Sequence, residues 1–216
     1  MKITQLIALI LLSLNYSFAQ NIQVKKDSIK YFDENYKSIS KKKFRIKKSR
    51  TAVFLGVQGD SVNHRILVRR GHKGVINDKK RLDSLLSTVI QEKIDPSKPL
   101  VIIYYPGKDP CNSSGHATRK TLRTWFNAME RKINRVKKST ILYVYKDNSG
   151  LYGKNDGFKK WIKDPNNIVE RHFFKRHYPC SSFVVISKKG NFISYFGEFS
   201  KDMVQKSCRI LARKKL

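Results

Sequence analysis

Consecutive apolar positions at 100–105 (LVIIYY) and 140–146 (TILYVYK) predict two strands covered on both faces, because a strand with one wet face alternates instead. Around them the period changes to that of a helix. Leu82, Leu85, Leu86, Val89 and Ile90 form one stripe, with Asp78 placed to cap it. Leu122, Trp125, Phe126, Met129, Ile133 and Val136 form a second over about 116–138, and Met203, Val204, Ile210 and Leu211 mark a last helix over about 200–213. A further helical region is expected within 157–177. Two β-prone runs, 52–57 and 63–69, flank QGDS and predict a hairpin; 183–187 and 192–197 flank KKGN and predict another. Residues 20–50 are polar and lysine-rich, and promise little stable structure or a strand-like lead-in. From residue 63 the order reads β, α, β, α, β, α, β, β, α. That alternation predicts an α/β fold with a central mixed sheet of four or five strands and helices on both faces.

The ends and the charge change the picture in two ways. Lys2, the apolar run Leu6 to Leu14 and the small residues Ser17 and Ala19 read as a secretory signal peptide over 1–19. The expected organisation is therefore a leader at 1–19, a polar basic extension at 20–50 and one domain at 51–216, in an exported protein that is periplasmic or secreted. Forty-six Lys and Arg against sixteen Asp and Glu give a net charge of +30. Export and the absence of a nucleic-acid-binding motif argue against nucleic acid as partner. The alternatives are an anionic envelope surface or a solvated basic coat that keeps the protein soluble. No cofactor is implied. Cys111, Cys180, His116, His172 and His177 offer ligands of the Cys and His type, but imidazoles in so basic a stretch are ordinary surface residues, and no metal is assigned.

Candidate chemistry centres on VIIYYPGKDPCNSSG, residues 101 to 115, where Cys111 follows the end of a buried strand. The chain has three cysteines, Cys111, Cys180 and Cys208, and no CxxC. An odd number leaves one unpaired or paired with another molecule.

The element order over roughly 63–214, CNSS after the first central strand, and SSFVVISKKG ending on Gly190 together resemble the thioredoxin fold, a three-layer sandwich. CNSS is similar to the CxxS variant of the family motif, with Ser114 at the second cysteine position. The cis-proline position of the family falls on Ser181, or on Pro179 if the loop is longer. The resemblance implies that Cys111 sits at the start of the long helix, where the macrodipole favours a thiolate, and that Cys180 is brought beside it. Ser114 cannot resolve a mixed disulfide. The implied site is thus Cys111, Cys180 and Ser114, with protein thiols or disulfides as partners. The two cysteines then form a purely structural bridge, a redox-active pair, or two unpaired thiols. A non-catalytic basic binding or scaffold domain that kept the fold and lost the chemistry is the alternative function.

Overall fold

A computed structural model describes residues 29–50, 53–113, 117–151 and 158–213. The leader expected at 1–19 lies outside the described residues. The main sheet has six strands rather than four or five. Its centre is β6 (Leu100–Tyr105), parallel to β7 (Thr140–Tyr145) from Leu100↔Thr140 to Tyr105↔Tyr145, and antiparallel to β9 (Ser182–Ile186) on its other side. Beyond β7 lies β8 (Trp161–Lys163), and beyond β9 come β10 (Asn191–Tyr195) and β5 (Gly71–Val75).

The two-sided burial expected of 100–105 is present. Leu100, Ile102 and Tyr104 face one core with Leu82, Leu86, Val169 and Phe174. Val101 and Ile103 face another with Phe126, Met129, Ile133 and Val204. Two helices, α4 (Arg119–Val136) and α6 (Lys201–Arg213), cover the second face and pack on each other. The first face carries α2 (Lys79–Ile90) and the short α5 (Ile168–Phe173). Asp78 caps α2 as expected, its Oδ1 accepting from the Arg81 N–H at 3.0 Å.

The 63–69 run is a strand, but not of the main sheet. β3 (Phe54–Gln58) and β4 (His64–Arg69) form the expected hairpin within a separate four-stranded sheet ordered β2-β1-β4-β3, where β1 (Lys30–Phe32) lies parallel to β4 and antiparallel to β2 (Ser38–Ile39). The chain changes sheets at Arg70. Its N–H donates to the Val53 carbonyl in one direction, and its own carbonyl accepts from the Phe196 N–H in the other, both at 2.8 Å. The lysine-rich segment that promised no helix forms α1 (Lys41–Arg50), anchored by the buried Phe44, whose ring lies over Gly56 and against Tyr31.

Candidate functional site

The site is built from the residues that follow β6. Gly107 takes φ 114, a conformation that L side chains rarely adopt, and turns the chain out of the strand. The loop is braced against the segment after β7: the Tyr105 hydroxyl donates to the Ser149 carbonyl at 2.8 Å, and the Lys108 N–H donates to Ser149 Oγ at 3.1 Å. Asp109 then starts a single helical turn, α3 (Pro110–Ser113). Asp109 Oδ1 accepts from the Asn112 N–H and Asn112 Oδ1 accepts from the Asp109 N–H, both at 2.9 Å. This reciprocal arrangement is a capping box, with proline at the first helical position where a missing N–H costs nothing.

Cys111 lies in that turn and not at the start of the long helix. The long helix begins afresh at Arg119, with Thr118 as its own cap, its Oγ1 accepting from the Thr121 N–H at 3.2 Å. The macrodipole expected to act on Cys111 is therefore that of one turn only, and the thiolate argument from a long helix does not apply. Ser114 and His116 lie outside the described residues.

Cys180 arrives from the loop before β9. The two cysteines are joined in a disulfide with Cα atoms 5.1 Å apart, across a sequence separation of 69. Cys111 is exposed and Cys180 half-buried. Both candidate positions for a family cis-proline, Pro179 and Ser181, have trans peptide bonds.

What holds Cys180 in place is Asp109. Asp109 is 8 % exposed. Its Oδ2 accepts from the Cys180 N–H at 2.9 Å and lies 3.4 Å from His177 Nε2, while Asn112 Nδ2 donates to the Gly107 carbonyl at 2.8 Å and reaches the Cys180 carbonyl at 3.5 Å. One carboxylate thus fixes both half-cystines. The cue was present in DPCN, which carries a capping residue followed by proline and an amide three places on.

Two further features were not foreseen. Glu198, in the loop after β10, places a carboxylate oxygen and both sulfurs all within 4.8 Å of one another. Its contact with the bridge is long-range and left no trace in local sequence. Beside Cys180 and Ser181 opens a cleft of about 310 Å³ whose walls include Ile103, Leu122, Trp125, Phe126 and Phe199. Of the histidines weighed as ligands, His172 lines a different cavity with Asn77 and Phe192, and His177 meets Asp109 rather than the sulfurs.

Cys208 lies elsewhere. It is buried in α6 among the residues of the second core, and burial pushes its thiol up to about 12. Among the described residues no helix is long and apolar enough to cross a membrane.

No protein-family model matches the chain, and no curated protein sequence matches it. Among solved structures the chain is similar to the crystal structure of the pneumococcal exposed lipoprotein thioredoxin of Streptococcus pneumoniae, at 15% identity and a TM-score of 0.36, over 54% of this chain and 87% of that one.

Proposed function

We propose that this protein is an exported thioredoxin-like protein that exchanges disulfides with protein thiols in the cell envelope through Cys111 and Cys180. The observation that carries the reading is the bridge between the loop after β6 and the loop before β9, in which Cys111 is an exposed residue. The β6–α4–β7 unit and the closing β9–β10–α6 follow the element order of that fold. A disulfide suits an oxidising compartment, which agrees with a leader at 1–19. The apolar cleft beside Cys180 offers a surface for the polypeptide that carries the incoming thiol.

In the exchange, a partner thiolate attacks Cys111 Sγ, on the more exposed of the two residues. The S–S bond breaks, and Cys180 leaves as a thiolate that takes a proton from water. A second thiol of the partner, as its thiolate, then attacks the partner sulfur of the mixed disulfide. Cys111 is released as a thiolate, and the partner leaves oxidised. Run backwards, Cys111 is the nucleophile and Cys180 resolves it. Ser114 takes no bond-making part.

The test is insulin reduction and exchange with a fluorescent disulfide-bonded peptide, using wild type, Cys111→Ser and Cys180→Ser. The exchange reading expects turnover by wild type and its loss in both variants. The same hydrogen-bonded clasp also suits a domain whose bridge only fixes two loops. That scaffold reading expects no turnover by any form, and lower thermal stability in both variants. We also propose that the outer face of α4, with Arg119, Lys120, Arg123, Arg131 and Arg135, meets an anionic envelope surface. Co-sedimentation with vesicles containing anionic lipid, lost in neutral vesicles, is the expected result.

A further inference from the structure

We infer that the reduced form of this site is a metal site: Cys111, Cys180 and Glu198 together bind one thiophilic divalent cation of the zinc class, and the disulfide excludes it. Three separate loops deliver three anionic donors to one point, with both sulfurs and the carboxylate oxygen within 4.8 Å of each other. A tetrahedral zinc with ordinary Zn–S and Zn–O bonds sets its donors roughly 3.5–3.8 Å apart. Once the S–S bond is reduced, the two sulfurs must separate to that spacing while the Glu198 carboxylate draws in, with the Cα atoms of the two cysteines starting 5.1 Å apart.

The backbone on all three sides is already fixed. Cys111 sits in the capped turn, and the Cys180 N–H is held by Asp109. Glu198 follows Gly197, whose N–H donates to Ser182 Oγ at 3.1 Å, and its own carbonyl accepts from Arg70 Nη1 at 3.3 Å. Two thiolates select against magnesium and calcium, which prefer all-oxygen sets. The fourth position falls to water, as in open zinc sites.

Charge favours the assembly. Two thiolates, one carboxylate and a divalent cation sum to −1, and that residual charge sits in a protein carrying +30. Metal and disulfide are mutually exclusive, because bonded sulfurs have no thiolate to offer. The steps balance. A dithiol reductant gives two electrons and two protons to the bridge and becomes a disulfide itself. The two protein thiols then release two protons to water as the cation binds. This inference does not require exchange with protein partners, only a bridge that a small reductant opens.

The test uses protein with all three thiols reduced under anaerobic conditions, freed of reductant and titrated with Co²⁺. The expected result is a thiolate-to-cobalt charge-transfer band that saturates at one metal per chain, is displaced by Zn²⁺ and is absent from oxidised protein. Cys111→Ser should abolish the band. Glu198→Gln should weaken binding by at least the roughly 10–100-fold that loss of an outer-shell partner costs, while His172→Ala, in a different cavity, should leave it unchanged. Bound Zn²⁺ should shield Cys111 and Cys180, but not change Cys208, in an alkylation count. No band in fully reduced protein overturns the inference. So does a band that survives Glu198→Gln at full affinity, or one that disappears in Cys208→Ser. The insulin assay is scored separately, so that loss of exchange with intact metal binding, or the reverse, identifies which idea has failed.

Discussion

At Cys180 the backbone is held at φ 68, in the left-handed region, by the bridge to Cys111 and the N–H bond to Asp109. A non-glycine residue is placed there only at a cost of about 1–3 kcal/mol, so its surroundings must impose the conformation. Asp109→Ala removes the acceptor for two backbone N–H groups, those of Asn112 and Cys180. Leaving them unpaired is expected to cost roughly 2–4 kcal/mol. Urea unfolding of the oxidised protein measures this, and a loss well under 1 kcal/mol would show that water replaces the carboxylate. Cys208 presents the opposite case. Buried, with its thiol pushed up to about 12, it stays neutral at pH 8 and has no route to a reagent. After reduction, native protein should take up two alkyl groups quickly and the third only in denaturant. Equal reaction of all three thiols would contradict that burial.

Elements differed in how plainly the sequence announced them, and the reason is what each one packs against. β6 was legible because both its faces are core, and α4 because Phe126, Met129 and Ile133 recur at helical spacing against the sheet. β5 was not, since GHKGV is mostly exposed and is a strand because β10 offers it a backbone ladder. In α1 seven cations surround the single buried Phe44, so no apolar period exists to be read. Within the site, the pairing of Cys111 with Cys180 followed from the resemblance to a fold that brings their loops together. The capping box was readable in DPCN, and Glu198 was not readable at all, because only the turn after β10 carries it to the sulfurs. The α1 account predicts that Phe44→Ala frees the helix from β3. Loss of the buried ring should cost about 3 kcal/mol and lower the helical circular dichroism signal, whereas Lys42→Ala, at an exposed position, should change neither.

For the whole molecule, alkaline pH is the sensitive direction. Burial pushes Tyr104 and Tyr143 upward, Tyr105 up to about 12 and Cys208 up to about 12. Each folded value lies above the unfolded one, so the unfolded chain loses its protons first. Stability from these groups is complete below about pH 8 and falls as pH rises from there, first through Cys208 and then through the tyrosines. Melting temperatures at pH 8 and pH 10.5 should therefore differ, with the lower value at pH 10.5 and the tyrosinate absorbance appearing together with unfolding. A tyrosine titration complete before unfolding would contradict the burial of these rings.

The ring closed by the bridge contains α3, α4, β7, β8 and α5, while the strands just outside it, β6 and β9, are hydrogen-bonded neighbours through Ile103↔Phe183 and Tyr104↔Ser182. Native pairing therefore keeps the two thiols close even when nothing joins them. Whatever the bond does for the fold, the fold must do equally for the bond, since the two equilibria form one thermodynamic cycle. Chain-entropy reasoning for a closed loop of this length gives about 4 kcal/mol. For a two-electron couple that corresponds to roughly 90 mV. The same pair of cysteines should thus be a markedly weaker oxidant in the folded protein than in the chain unfolded by urea, and redox titration in both states would reveal the electrochemical face of the packing between β6 and β9.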